Sequence, residues 1–456
     1  MARLSCCLPW LELCLCSLCA APSSVAAQDA RFSPQHLRGD LAVIEAEIRN
    51  KHPNLGHSTD EAKLARSLRA LEPRLDAPLS RDAAWRAFAT LNPVFADGHL
   101  FVGFPDWRAD VQAYLDAGGV LFPFEVHVTQ TGEVFVRSEL GGAGTLFAGA
   151  RVESINGVDA RTVSAELLAR AHGDTSAFRA ELVSRRWWFY YWKTYGPETD
   201  FDLLLTKERR TALRLPGSRS EPVFLAEEKS FERQFRLELL PGHGALLTVS
   251  SFAWPDKHRF FEFTRNAFSK IREAGLQTLI IDVRANGGGD DQLWMQGIMP
   301  YIATKPYRWA SSYQKRIVEP YRDEGETLGE VVSGPIDRWI EPEPDHPLRF
   351  SGETYVLIGT STYSSAILFA NTVQHFGFAR VAGTGGARAD QSGSVQKTVL
   401  PNADLVLWWP RFILTRPSAA AEPALVAPDI SISEDPFQPH AAIDELLLQI
   451  HPASPH

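Results

Sequence analysis

Residues 355–374 read YVLIGTSTYSSAILFANTVQ and give the strongest indication of how this chain folds. Residues 355–358 are apolar and predict a buried strand, Gly359 opens a small polar turn, and a helical pattern follows Ser364. Backbone N–H groups at a helix start carry partial positive charge, which suits a serine nucleophile whose reaction creates an anion. Hydroxyl residues are also common helix caps, so this stretch alone leaves catalysis and capping both open.

Three regions of the chain differ in pattern. From residue 244 onward, apolar strands such as 278–283 alternate with amphipathic helices, which predicts an α/β layer with buried parallel strands. Residues 35–93 carry helical patterns, and residues 110–215 show the alternation typical of strands. The helices expected in the first region cover 37–49, 60–71 and 80–91.

A glycine-rich loop follows the predicted strand 278–283. Three consecutive glycines, including Gly287 and Gly288, remove side chains and let backbone N–H groups approach a ligand closely. The spacing matches neither the dinucleotide-binding pattern, because Gln292 replaces its last glycine, nor a phosphate-binding loop with Gly-Lys-Ser/Thr. An oxyanion-binding loop or a merely tight strand–helix turn remain as interpretations.

A histidine lies in a glycine turn after the helical region, in the sequence Asp97-Gly98-His99. Since an unperturbed histidine has a pKa of about 6.5, His99 is a candidate general base at neutral pH. A histidine at the surface of a turn is the alternative.

The first 27 residues resemble a secretory signal peptide, with a basic residue, an apolar stretch and a small-residue cleavage site. All five cysteines lie within this segment. We therefore expect an exported protein, periplasmic or secreted, whose mature form has no disulfide, no thiolate nucleophile and no zinc–sulfur site.

Composition limits the partners of the chain. The net charge of -9, the pI near 5.8 and the lack of a basic block make nucleic acid an unsuitable partner. No later apolar run reaches the roughly 20 residues of a membrane span. The sequence has no His-Glu-x-x-His motif, and we expect neither a metal nor another cofactor.

Taken together, these segments resemble the carboxyl-terminal-processing (tail-specific) serine peptidases, in particular their tricorn-core-like branch. The resemblance rests on motifs that occur in the family's order: Lys51-His52-Pro53-Asn54-Leu55, Asp97-Gly98-His99, residues 281–288, Thr362-Tyr363-Ser364-Ser365 and Pro428-Asp429-Ile430. It implies an α/β core of the crotonase-like ββα type, with a PDZ-like β-rich insert and a helical N-terminal region.

The resemblance also implies roles for individual residues. Ser364 would attack a peptide carbonyl to form an acyl-enzyme, and His99 would take its proton. The N–H of Ser365 and an N–H from Gly287 or Gly288 would stabilise the oxyanion, as such donors do in acyl transfer.

An acidic residue would orient the imidazole of the base. Glu422 lies six residues before Pro428, where the tricorn-like branch carries a glutamate, and Asp429 is the fallback. The family's lysine-using branch would instead place a lysine where this chain has Ser392, and Lys397 is displaced by five positions. The Ser/His mechanism is therefore preferred.

The PDZ-like module is expected at 111–215, and its clearest trace is residues 149–158, GARVESINGV. PDZ modules add an extended peptide to a sheet edge, so recognition of substrate C-terminal tails is a further hypothesis. The aromatic run 187–192, WWFYYW, favours packing between domains over a wall that grips substrate.

We therefore predict four segments: a signal peptide (1–27), a helical region with the D-G-H turn (28–110), the PDZ-like domain (111–215) and an α/β serine peptidase core (216–456). The predicted function is exported serine endopeptidase activity on peptides or unfolded proteins. The alternatives are a non-catalytic ligand- or peptide-binding protein on the same scaffold, and an esterase or amidase. The sequence does not indicate an oligomeric state.

Overall fold

The computed structural model describes residues 30–240, 242 and 244–451. The predicted signal peptide lies outside the described residues. In the described part of the chain, no helix is both long and apolar enough to cross a membrane.

The α-helices are α1 (Pro34–Lys51), α2 (Glu61–Leu71), α3 (Arg81–Phe88), α4 (Asn92–Phe95), α5 (Trp107–Asp116), α6 (Ala160–Leu168), α7 (Ser176–Arg185), α8 (Trp187–Tyr195), α9 (Val223–Glu228), α10 (Phe231–Gln234), α11 (Lys257–Glu273), α12 (Asp291–Gly297), α13 (Met299–Ile302), α14 (Ser365–Phe376) and α15 (Ala441–Ile450). Short 3₁₀ turns cover Leu55–His57, Glu72–Leu75 and Ala89–Leu91.

The strands are β1 (Arg31–Phe32), β2 (Leu79–Ser80), β3 (Phe101–Gly103), β4 (Phe124–Val128), β5 (Val134–Glu139), β6 (Arg151–Ile155), β7 (Val158–Asp159), β8 (Asp200–Thr206), β9 (Arg210–Pro216), β10 (Phe235–Leu240), β11 (Gly244–Val249), β12 (Thr278–Asp282), β13 (Ser312–Arg316), β14 (Val331–Pro335), β15 (Glu353–Ile358), β16 (Arg380–Gly383), β17 (Gln391–Val399), β18 (Val406–Thr415) and β19 (Ile430–Ser431).

The central sheet has the order β10-β11-β12-β15-β16-β19 and is parallel except for the β10–β11 pair. All residues of β11 and β12 are buried, as expected for strands covered on both faces. The predicted α/β layer is therefore confirmed. Its two faces belong to separate apolar clusters, one of them closed by α15.

The chain after the glycine-rich loop forms two short helices, because α12 ends at Gly297 and α13 begins at Met299. Pro300 explains the break: it has no N–H to donate to an earlier carbonyl, but it fits the first turn of a new helix.

The N-terminal helices form as predicted, with Asp60 and Ser80 as N-caps that accept hydrogen bonds from the N–H groups of Lys63 and Ala83. The last of them ends earlier than expected, and its final turn is 3₁₀. This region continues into β3, which pairs with β18 in a second sheet of order β14-β13-β18-β17.

A third sheet has the order β4-β5-β6-β8-β9, with β7 paired to β6. The strand-rich prediction for residues 110–215 holds for its strands but misses α6, α7 and α8 between them. The aromatic run forms α8, where all six aromatic side chains are buried. Its rings contact Trp85 and Trp107 of the N-terminal region and Phe122 and Phe201 beside the third sheet. This explains the run as packing.

Candidate active site

Ser364 lies in the turn between β15 and α14, at the carboxyl end of the central sheet. Its backbone has φ 54° and ψ -124°, a conformation that a residue with a side chain rarely adopts. Such strain costs about 1–3 kcal/mol and persists only where surrounding contacts enforce it. Ser364 precedes the helix, but its hydroxyl makes no capping hydrogen bond. The capping interpretation is therefore wrong for this side chain.

Three contacts enforce the strained turn. The N–H of Ser364 donates to Oε1 of Gln391 over 3.1 Å. The N–H of Tyr363 donates to the carbonyl of Asn286 over 3.0 Å, and the hydroxyl of Thr362 donates to the carbonyl of Val283 over 2.8 Å. Residues 359–364, which we call the nucleophile turn, are thus held against the glycine-rich loop that follows β12.

The glycine loop packs directly on Ser364. Gly288 has φ +100°, and a Cβ at that position would lie 2.6 Å from Cβ of Ser364. Its N–H already donates to Oδ1 of Asn286 over 2.9 Å. Gly287 by contrast faces open space. This difference makes Gly287 the better placed of the two predicted glycine donors.

The N–H groups of Ser365 and Gly287 have no hydrogen-bond acceptor among the described residues. The hydroxyl of Ser365 is occupied, since it accepts from the indole N–H of Trp294 over 3.0 Å and donates to Asp291. Its backbone N–H at the start of α14 is free to meet a developing negative charge.

His99 is only 8% exposed, which contradicts the surface-turn alternative. Its ring lies against that of Tyr363, with the centroids 4.9 Å apart, so it sits beside the nucleophile turn. Its Nδ1 atom is 2.9 Å from Oγ of Ser392. Burial lowers the pKa of His99, while the charges of Asp97 and Asp174 oppose that effect.

The bond between His99 and Ser392 fixes the tautomer of the imidazole. The single proton of the Ser392 hydroxyl is donated to Oδ1 of Asp97 over 2.8 Å. Ser392 must therefore accept from Nδ1–H of His99, because its own proton is committed. The lone pair of the neutral imidazole is then on Nε2, the atom that a general base uses.

Asp97 is buried and also accepts from the N–H of His99 over 2.7 Å. Burial acts to raise the pKa of Asp97, but His52 and His99 hold it well below its usual range. His52 Nε2 lies 3.9 Å from Oδ2 of Asp97. Asp97 is thus a fixed negative charge behind Ser392 and His99.

A second buried acid, Asp174, joins the D-G-H turn to the nucleophile turn. It accepts from the hydroxyl of Tyr363 over 2.7 Å, the N–H of Gly98 over 3.1 Å and the N–H of Arg388 over 2.9 Å. Gly98 is required here, because a Cβ would lie 2.5 Å from the ring of Tyr363.

Glu422 lies elsewhere. Its side chain is exposed and accepts from the N–H of Ala424 over 3.1 Å, whereas the hydrogen bond of the His99 ring goes to Ser392. Asp429 accepts from the N–H of Val381 over 2.8 Å, a structural role. Lys397 is exposed, with Nζ 5.9 Å from the ring centroid of Trp408.

Of the residues predicted from the sequence, Gly288 packs on Ser364, and His99 contacts the ring of the adjacent Tyr363. The described residues show no hydrogen bond between the His99 ring and the Ser364 hydroxyl. Sequence reasoning missed the groups that hold these residues in place. Ser392 stands where the lysine-using branch has its base, which was a signal in the sequence. Asp97 belongs to the quoted D-G-H motif. Asp174 gave no signal, because nothing in its local sequence indicates which residues it contacts.

Within the described residues, no group of three or more His, Cys, Asp or Glu side chains could hold a metal ion. The hydroxyl of Ser364, the imidazole of His99 and the backbone N–H groups of Ser365 and Gly287 are the kinds of group that covalent acyl transfer uses.

Comparison with known proteins agrees with this chemistry. Residues 244–432 match the model of peptidase family S41. The matched segment runs from β11 to β19 and contains the glycine-rich loop and Ser364. The predicted resemblance to the carboxyl-terminal-processing serine peptidases is thereby confirmed. No curated protein sequence is similar enough to this chain to be a match.

Solved structures share the fold of this chain. Mature CPAF complexed with lactacystin is 15% identical, with a TM-score of 0.66 over 91% of this chain and 97% of that one. Mature CPAF alone gives a TM-score of 0.63 at 15% identity, over 91% and 96% of the two chains. The photosystem II D1 C-terminal processing protease is 13% identical with a TM-score of 0.45, covering 87% and 93%, and we infer nothing from it.

Proposed function

We propose that this protein is an exported serine endopeptidase that cleaves peptides or unfolded proteins through a Ser364 acyl-enzyme. The observation that carries the proposal is the chain His99–Ser392–Asp97, which leaves Nε2 of a neutral imidazole as the proton acceptor. His99 takes the proton of Ser364 during attack and returns it to the leaving amine.

The oxyanion is stabilised by the N–H groups of Ser365 and Gly287, the two that have no other acceptor among the described residues. Loss of one such donor costs about 2.7–4 kcal/mol of transition-state stabilisation in acyl transfer. Gly288 supports the site differently: it lets the loop approach Ser364 and is bonded to Asn286.

The architecture proposed from the resemblance has a crotonase-like ββα core and a PDZ-like insert. The parallel central sheet supports the first element. The third sheet supports the second, with Asn156 and Gly157 in the turn between β6 and β7 and α6 immediately after it. An orienting role for Glu422 requires its exposed loop to move toward His99 on substrate binding.

We do not propose that the C-terminal tail of a substrate binds at the β4 edge of the third sheet. There α7 packs along the strand, and the N–H of Val128 donates to Oγ of Ser184 over 2.8 Å. An added peptide strand needs such N–H groups, so a tail would have to displace α7.

Export rests on the N-terminal sequence alone. Expression of the full chain with a detectable C-terminal tag, followed by cell fractionation and N-terminal sequencing of the mature form, tests it. We expect cleavage after Ala27, and an unprocessed protein in the cytoplasmic fraction would contradict export.

Hydrolysis of a reduced, unfolded protein substrate tests the peptidase proposal. Ser364→Ala and His99→Ala should each lower the cleavage rate by at least about 10²-fold, whereas the control Lys397→Ala should cleave like wild type. Hydrolysis of acyl esters without any peptide cleavage would favour the esterase alternative. Folded wild-type protein that hydrolyses neither would favour a binding protein.

A further inference from the structure

A cavity of about 180 Å³ lies beside the nucleophile turn. One side is formed by His99, Gly287 and Tyr363, which belong to the site described above. The other side is formed by Arg185, Arg186 and Phe224, from the α7–α8 junction and α9. The volume is below the 300 Å³ or more that drug-sized ligands usually occupy, so it suits a single side chain or chain end.

Neither arginine of the cavity forms an ion pair among the described residues, although the charges of Glu181 and Glu228 act on Arg185 and Arg186 from further away. The side chain of Arg186 makes no ion pair or hydrogen bond within the described residues, and its buried Nε atom has no acceptor. Arg185 donates only to the carbonyl of Ala285, over 3.3 Å. A buried cation without an anion is costly, because it has lost water without gaining a counter-charge.

Aromatic packing holds the two guanidinium groups in place. Cζ of Arg185 lies 4.8 Å and Cζ of Arg186 lies 4.7 Å from the ring centroid of Phe224. Arg186 is also 4.9 Å from the ring of Trp107. The nearby Arg108 differs, because it forms an ion pair with Glu228 at 2.6 Å.

The rest of the lining supplies no negative charge. None of the residues that line the cavity is Asp or Glu. His172, at the same wall, is buried against the ring of Phe101, and burial lowers its pKa to about 3, so it is neutral at physiological pH. Phe178 and Leu182 add apolar surface. The cavity therefore combines an apolar wall with two cations that form no ion pair among the described residues.

We propose that this cavity is a specificity pocket that binds a substrate carboxylate next to the scissile bond through Arg185 and Arg186. The pocket is within the same cleft as His99 and Gly287, so the residue it holds is close to the bond that is cut. Guanidinium groups suit this role because they bind carboxylates in paired hydrogen bonds. The inference rests on the proposed peptidase function and names its substrate class.

The carboxylate has two sources, the side chain of Asp or Glu and the C-terminus of the substrate. A library of internally quenched hexapeptides tests both, with Glu or Gln fixed at each position and with a C-terminal acid or amide. Cleavage by wild type is compared with Arg186→Gln, Arg186→Lys and the control Arg214→Gln, an arginine on β9 whose side chain is 69% exposed. Rates are normalised to the sites labelled by a neutral fluorophosphonate.

Wild type and Arg214→Gln should prefer the carboxylate peptides by at least about tenfold in kcat/KM. Arg186→Gln should bring that ratio close to one, and Arg186→Lys should retain part of it. Preference for Glu over Gln identifies a side-chain carboxylate, and preference for acid over amide identifies the C-terminus. Equal cleavage of all pairs by wild type would overturn the pocket proposal while leaving the peptidase function intact.

Fluorescence anisotropy measures binding of the same peptides to Ser364→Ala. This binding distinguishes failure of the peptidase proposal from failure of the pocket proposal. If no variant cleaves, the peptidase proposal fails, and the pocket is judged on binding alone. Tighter binding of carboxylate peptides that Arg186→Gln abolishes would still support it, and equal binding of both members of each pair would refute it.

Discussion

At the scale of single residues, the site depends on the hydroxyl of Ser392, whose proton is donated to Asp97. Ser392 donates to Asp97 and therefore accepts from His99, which sets the tautomer of the base. A serine here performs the orienting task that an acid performs when it contacts the histidine directly. The negative charge lies on Asp97, which contacts Ser392 and is separated from the His99 ring by that serine side chain.

We expect Ser392→Ala to lower kcat by roughly tenfold or more, up to the 10²–10⁴-fold that loss of a general base costs, with little change in KM. Because the Ser392 hydroxyl accepts from Nδ1–H of His99, and such a bond favours the charged imidazolium, its removal should also lower the pKa of His99 and move the acid limb of the pH profile to lower pH. Ser394→Ala, an exposed serine on the same strand, is the matched control. A loss of kcat without movement of the limb would indicate a structural role only.

The pH dependence of the wild-type enzyme follows from the burial of His99. Since burial lowers the pKa of the imidazole, the neutral form that accepts a proton persists below the ordinary value of about 6.5. The rate constant kcat/KM should be constant near neutrality and fall only as pH drops through that lowered pKa. An acid limb above about 7 would be inconsistent with His99 as the base.

At the scale of elements, the β12 loop and the β15–α14 turn form one unit in which each holds the other's backbone. Gly288 permits this contact by having no side chain and a φ of +100°. Asn286 completes it, with its carbonyl bound by Tyr363 and its side chain bonded to the carbonyl of Val249 over 3.0 Å.

Gly288→Ala should lower the free energy of unfolding by about 1–3 kcal/mol or more and abolish labelling of the serine, because its Cβ overlaps Ser364. Gly287→Ala is the control for stability, since a Cβ there meets no atom within 4 Å. Urea denaturation measures both variants. Equal stability of the two would show that the loop does not need to approach this closely.

The elements also show what a sequence can reveal. β11, β12 and β15 were predictable because continuous apolar runs between turn residues are typical of strands covered on both faces. The three helices α6 to α8 were missed. The aromatic run of α8 is typical of strands, and tertiary packing decides its conformation. The helices α6 and α7 begin after the N-caps Asp159 and Thr175, so the sequence did contain a signal for them. His99 and Ser392 are 293 residues apart in sequence, so no local pattern could indicate their contact.

At the scale of the whole molecule, the site is assembled from distant parts of the chain. Asp97 and His99 come from the N-terminal region, Asp174 from the segment between β7 and β8, and Ser364 and Ser392 from the remainder. Pairing of β3 with β18 joins the first of these to the second sheet. Asp174 bonds to residues of all the other parts, so the positions of base and nucleophile depend on it.

Asp174→Ala should therefore cost about 2–5 kcal/mol of unfolding free energy, because it leaves buried N–H and O–H donors without an acceptor. It should also reduce serine labelling, since Tyr363 and Gly98 lose their common partner. Asp200→Ala, an acid at the surface of β8, should change neither thermal stability nor labelling appreciably. A stable Asp174→Ala variant with normal labelling would contradict the proposed assembly.

The most direct test of the account is the rate at which a fluorophosphonate labels the protein, with the modified residue identified by mass spectrometry. The account predicts a single adduct on Ser364, absent from Ser364→Ala and slowed at least about 10²-fold in His99→Ala. Labelling of His99→Ala at the wild-type rate, or an adduct on another residue, would contradict it.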